Sequence, residues 1–184
     1  MILSRNQIIE KWQNKEIMFE PDIEEDQISI CSVNLRVGKT FNKIKRKEGH
    51  IINPSLTTAD DLYESLTTSN DKIILQKNDF VLAPTYEYLI MPNNLAAMIE
   101  GRSTFARYGL SAHITAPFIN PGFQGNITLE MYNHADMEIF LEAGKTKICQ
   151  LIFFEISEAI DPKIVESLSK YRFQKNTTPK PDKL

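Results

Sequence analysis

The sequence predicts a mainly β fold, an antiparallel barrel or sandwich, on three observations. Short apolar runs follow one another at 28–37, 72–83, 87–90, 96–99, 127–132, 139–141 and 148–156. Clusters of Asn, Gly and Pro, the residues that turn a chain sharply, separate them. No helical segments alternate with the runs, which argues against a doubly wound parallel sheet.

The remaining elements follow in chain order. Ser4 precedes Gln7 by three positions, and Ile8, Ile9 and Trp12 recur at helical spacing, so a short capped helix opens the chain. The basic run 43–47 reads as a solvated loop or a strand end. Segment 51–69 has mixed polarity and reads as an excursion from the sheet. A second helix is expected over 162–169, with Asp161 as its cap and Pro162 in its first turn. Residues 1–172 form one domain on this view. The tail 173–184 carries three lysines and two prolines with little apolar content, and is expected to be flexible unless a ligand orders it.

At 184 residues and 42% hydrophobic, the chain can bury one sizeable core. The formal charge of −3 provides no overall positive field for a nucleic-acid backbone, so an anionic ligand must be met locally. No run approaches the length of a membrane span, and the first twelve residues lack the apolar core of a secretion signal. The expectation is a soluble, cytoplasmic protein. Cys31 and Cys149 lie far apart among apolar or small neighbours, which suits reduced core thiols better than a disulfide.

The chemistry concentrates between residues 100 and 130. Five of the seven glycines fall at Gly101, Gly109, Gly122, Gly125 and Gly144, placing permissive backbone in one quarter of the chain. Gly101-Arg102-Ser103-Thr104 with Arg107 supplies two guanidinium forks and two hydroxyls, the parts that grip phosphate oxygens. Ordinary surface residues at a strand end would look the same. Pro121-Gly122 specifies a sharp turn, and Phe123 offers a flat face to a sugar or base, or else packs in the core. Alternation from Leu129, an inward residue, turns Glu130 to the opposite face. An isolated acid among Ile127, Leu129, Met131 and Tyr132 is either solvated or a desolvated proton shuttle. His113 lies between the basic cluster and the turn, with a structural role as open as a functional one.

Several familiar sites are excluded by motif. Zinc-dependent nucleobase deaminases need H-x-E and P-C-x-x-C, yet none of His50, His113 and His134 has a Glu two positions on, and no Cys pair exists. Phosphate loops with G-x-x-x-x-G-K-[ST], dinucleotide G-x-G-x-x-G turns and G-x-S-x-G elbows are absent too.

Taken in order, the blocks Glu100-Gly101-Arg102-Ser103-Thr104-Phe105-Ala106-Arg107-Tyr108-Gly109-Leu110, His113-Ile114-Thr115-Ala116, Ile119-Asn120-Pro121-Gly122-Phe123, Gly125-Asn126-Ile127-Thr128-Leu129-Glu130 and Gln150-Leu151-Ile152-Phe153 carry a specific pattern. The chain resembles the dCTP deaminase family of the dUTPase-like superfamily. Met1-Ile2-Leu3-Ser4, Ser32-Val33-Asn34-Leu35-Arg36-Val37-Gly38 and the stretch 170–175 extend the likeness over most of the chain.

The resemblance implies a distorted β-barrel or jelly-roll of the dUTPase-like type, a homotrimer with sites between subunits, and a C-terminal tail closing over triphosphate. It implies zinc-free deamination of dCTP to dUTP and ammonia, with possible feedback by dTTP. Glu130 would move the proton, and the Ser103 hydroxyl and Ala116 carbonyl would position the water. Arg102, Ser103, Thr104 and Arg107 would hold phosphates, with Lys170 and Gln174 reaching in from the tail. Asn120, Phe123, Thr128 and Leu129 complete the implied nucleotide site. Magnesium would arrive on the triphosphate. Asn34 and Asn120 stand where the family usually carries Asp. One alternative is a bifunctional enzyme that carries dCTP through to dUMP; another, suggested by Asn34 and Asn120, is a nucleotide-binding regulator that has lost catalysis.

Overall fold

A computed structural model of the chain describes residues 1–45, 49, 51–53, 55, 57, 62–66, 70–169, 171, 173 and 177. It begins with α1 (Arg5–Gln13), where the backbone N–H and hydroxyl of Ser4 both donate to Gln7 Oε1 at 3.0 Å. A single turn of 3-10 helix at Glu25–Gln27 follows β1 (Met18–Glu20). Next come β2 (Val33–Arg36), β3 (Phe41–Ile44), β4 (Tyr63–Leu66), β5 (Lys72–Leu75), β6 (Phe80–Ile90) and β7 (Leu95–Gly101). The short helix α2 (Ser103–Arg107) leads into β8 (Leu110–Ser111), β9 (Phe118–Ile119), β10 (Gln124–Asn133), β11 (Ile139–Glu142) and β12 (Lys147–Glu155). The last described element is α3 (Pro162–Leu168), capped as expected by Asp161, which accepts from Lys163 N at 2.8 Å.

Every strand pair is antiparallel. The largest sheet runs β4-β3-β6-β10-β8 with β1 also on β6; a second runs β2-β12-β7-β9; β11 and β5 form a third. The sheets wrap one core without closing into a barrel among the described residues. Alternation builds that core. In β10, Ile127, Leu129 and Met131 turn inward while Asn126, Thr128 and Glu130 turn out. Phe41, Leu35, Leu151 and Phe153 meet them from the other strands with 0% exposure. No helix among the described residues is long and apolar enough to cross a membrane.

Four expectations need correction. The run 72–83 is not one strand, because Asp79 Oδ2 accepts from Gln76 N at 3.0 Å and Asn78 adopts a left-handed φ of 61°, turning β5 into β6. Conversely, 87–90 is the far end of β6, which passes through Pro84. The β10 register shifts between Asn126 and Thr128, and Thr85 Oγ1 accepts from Ile127 N at 3.0 Å, so a side chain satisfies the donor left over at the irregularity. Segment 51–69 is not wholly outside the sheet, since β4 is the edge strand beside β3. The run 28–37 is a strand only over β2. Ile28 bridges back to Val33 around a turn that leaves Cys31 exposed, while Cys149 is buried.

One buried acid went unnoticed in the sequence. Glu87 has 0% exposure and accepts from Arg36 Nε at 2.6 Å, Arg36 N at 2.9 Å and Gln27 Nε2 at 3.0 Å. It ties the 3-10 turn and β2 to the middle of β6.

Candidate active site

The outward face of β10 forms part of the wall of a cavity of about 680 Å³. Its floor is the sheet itself. Glu130 is in register with Leu82 of β6, Leu82 with Asn42 of β3, and Asn42 with Ser65 of β4, so one row crosses four strands on one face. Tyr63, Phe80, Leu82, Asn126, Thr128 and Glu130 line the cavity from the sheet. Ile114, Thr115, Ala116, Phe118 and Asn120 line it from the loop beside β9, with Phe123 from the start of the turn into β10. Leu168, Ser169, Tyr171 and Thr177 cover it from α3 and beyond.

The Asn120-Pro121-Gly122-Phe123 turn is as sharp as its sequence demands. Phe123 N donates to Asn120 O at 3.3 Å, and Gly122 sits at φ 70°. A Cβ on Gly122 would meet Val165 Cγ1 of α3 at 2.9 Å, so the glycine lets turn and helix close together. Glu130 Oε2 accepts from Ile114 N at 3.3 Å, which draws the loop toward the carboxylate. Across the floor, the Tyr63 phenol is held above the ordinary tyrosine range, chiefly by burial and then by the Glu130 charge. Thr177 Oγ1, itself buried, accepts from Asn42 Nδ2 at 2.6 Å, one strand removed from Leu82 in the Glu130 row.

Chemically, the described residues give this cavity one carboxylate, an apolar floor and several hydroxyl and amide groups. No lysine or arginine lines it among the described residues. It is suited to an uncharged planar group with polar edges, not to phosphates.

The residues expected from the sequence to grip phosphate lie elsewhere on the chain. Ser103 lines a second cavity of about 560 Å³, together with Glu100, Gly101, Ser111, His113, His134 and Gln150. Ser103, Thr104 and Arg107 are exposed on α2, whereas Arg102 points back and donates through Nη1 to Lys147 O at 2.6 Å. His113 Nε2 stands 3.4 Å from Glu100 Oε2, and its Nδ1 is buried without a partner among the described residues. Within one chain, therefore, Glu130, Ala116, Asn120, Phe123 and Thr128 come together, and Ser103 does not join them. Leu129 turns its side chain into the core. Lys170 and Gln174 lie outside the described residues. Asn34 donates through Nδ2 to Gln27 O at 3.1 Å, a bond that an aspartate could not make.

A family model described as dCTP deaminase-like matches residues 2–156. The chain belongs to the dCTP deaminase-like family. Among its relatives, a "dCTP deaminase, dUMP-forming" of Methanosphaera stadtmanae is 38% identical over 154 residues, covering 83% of this chain and 78% of the relative. One of the same name from Dictyoglomus turgidum is 35% identical across 97% of this chain and 93% of its own length. A "dCTP deaminase" of Thermomicrobium roseum is 34% identical across 100% and 94%. In fold, this dCTP deaminase-like chain is similar to the crystal structure of 2'-deoxycytidine 5'-triphosphate deaminase from Agrobacterium tumefaciens. The TM-score is 0.66 at 20% identity, over 91% of this chain and 51% of that one. This chain thus spans about half the length of the Agrobacterium protein.

Sequence reasoning missed Tyr63, Phe80 and Leu82 on the wall of this cavity and Asn42 in the row beneath it. Phe80 and Leu82 sat inside a run read as one strand, 72–83, although 76–79 are polar, and alternation about Val81 could have set them on the outward face. Nothing local marks Tyr63, because its place depends on β4 pairing with β3 across a long connection.

Proposed function

We propose that this chain deaminates dCTP to dUTP and ammonia without zinc. The observation that carries it is Glu130, the single carboxylate among the described residues of a cavity wall that they leave otherwise uncharged, which suits a pyrimidine better than phosphates. The dCTP deaminase relatives support the same assignment. Water adds to C4 of the cytosine and the bond to the exocyclic nitrogen breaks. Glu130 takes a proton from that water and gives it to N3, then carries the proton of the new C4 hydroxyl to the amino group, which departs as ammonia and leaves the C4 carbonyl. The Ala116 carbonyl, in the same cavity, holds the water in line.

On this reading Ser103, which lines a different cavity from Glu130 within one chain, comes from a second copy together with Arg102, Thr104 and Arg107. A homotrimer with sites between subunits supplies that arrangement, and Lys170 and Gln174 of the tail complete the grip on the triphosphate. Among the described residues no three His, Cys, Asp or Glu side chains gather as a metal cage. Magnesium would be held by the triphosphate's own oxygens, where it neutralises charge.

The bifunctional alternative draws on the dUMP-forming names of relatives such as those from Methanosphaera and Dictyoglomus. Asn120 stands against it, because a neutral amide is a poor base for a water attacking phosphorus. One assay separates the two: purified chain with dCTP and magnesium, following dCTP, dUTP, dUMP and ammonia together. Ammonia with accumulating dUTP supports the deaminase; dUMP and pyrophosphate support the bifunctional enzyme; no ammonia despite bound nucleotide sinks both.

A further inference from the structure

The Glu130 cavity has a second polar wall that the proposed chemistry leaves unused. Tyr63 stands on β4 and Glu130 on β10, with β3 and β6 between them. Tyr63 lies two residues along β4 from Ser65, the end of the Glu130 row, so the two backbones are roughly 16 Å apart. Both side chains line the same cavity, Tyr63 from the edge strand β4 and Glu130 from β10 inside the sheet. The effect of the Glu130 charge on the Tyr63 phenol shows that the two groups share one field.

Tyr63 is half-buried, and its hydroxyl makes no hydrogen bond among the described residues. At neutral pH the phenol keeps its proton and is a donor, while the carboxylate opposite is an acceptor. Between them lie the apolar side chains of Phe80 and Leu82. A ligand that fits has a flat or apolar body, meets the carboxylate at one end and offers an acceptor oxygen at the other. A nucleoside has that form, and a triphosphate does not.

We propose that Tyr63 is a substrate-binding residue whose hydroxyl donates to an oxygen of the nucleoside, at the end away from Glu130. It thereby fixes how the pyrimidine is presented to the carboxylate. The assignment rests on the nucleotide reading of this cavity and adds a specificity-determining group to it.

The test is Tyr63→Phe, which keeps the ring and removes only the hydroxyl. Affinity for dCTP with magnesium is measured by calorimetry in a Glu130→Gln background, where turnover does not interfere, and inorganic tripolyphosphate serves as the control ligand. The expected result is a dCTP Kd raised about three- to ten-fold, the range of one neutral hydrogen bond, with tripolyphosphate affinity unchanged. An unchanged dCTP Kd overturns the proposal. Equal weakening of both ligands also overturns it, because the effect is then a general disturbance of the fold. If the wild-type chain binds no dCTP, the nucleotide reading falls and this assignment with it. If it binds dCTP but releases no ammonia, deamination falls while the Tyr63 comparison still decides the binding role.

Discussion

The Glu130 carboxylate and the Ser103 hydroxyl line two different cavities of one chain. If both serve one reaction, they meet across an interface between copies. Two inactive variants, Glu130→Gln and Ser103→Ala, should then rescue each other when unfolded together and reassembled. With equal, random mixing in a cyclic trimer, roughly a quarter of the sites pair an intact Glu130 with an intact Ser103. Activity near that share of wild type is expected, and no recovery would place both groups in one copy.

Glu87 and Arg36 concern stability rather than turnover. The carboxylate is fully buried and accepts three hydrogen bonds, two of them from Arg36. Removing one partner of such a pair typically costs about 3–5 kcal/mol. Glu87→Ala should lower the urea midpoint accordingly, and a loss below about 1 kcal/mol would show that the pair is dispensable.

The thiols should separate cleanly. Cys31 is exposed, whereas burial, aided by the Glu87 charge, pushes the Cys149 thiol well above its ordinary range. A maleimide should label one thiol per native chain, at Cys31, and both only after unfolding. Rapid native labelling of Cys149 would mean that β12 opens readily.

Alkaline pH gives a further check on Tyr63. Its raised pKa means that the folded chain holds the phenolic proton more tightly than the unfolded chain does. The resulting stability is complete below the ordinary tyrosine value of about 10 and is lost as pH rises through the higher folded value. Tyr63→Phe should flatten the loss of stability in that window. Glu130→Gln, which removes the secondary cause of the shift, should let the phenol ionise earlier in an absorbance titration.

Much of the fold could be read from the sequence because its signals are local. Alternation in 127–132 set Glu130 opposite Leu129, Pro121-Gly122 announced its turn, and Asp161-Pro162 announced α3. What the sequence hid depends on distant partners. Strand β6 passes through Pro84 because the β10 register shifts there and Thr85 Oγ1 accepts the Ile127 N–H left over. Strand β4 joins the sheet through β3, which carries Tyr63 to the site. Glu87 looks like a strand acid until Arg36 arrives from β2. Motif residues 100–130 contribute to the walls of both cavities, but a linear motif does not say which members share one.

The most direct test of the central claim, that Glu130 moves the proton in a zinc-free deamination, is single-turnover ammonia release from dCTP by wild type and Glu130→Gln under conditions where both bind the nucleotide. The account predicts release by wild type and a rate lower by about 10² to 10⁴-fold in the variant, the usual weight of general acid–base catalysis. Equal rates from the two proteins would contradict it.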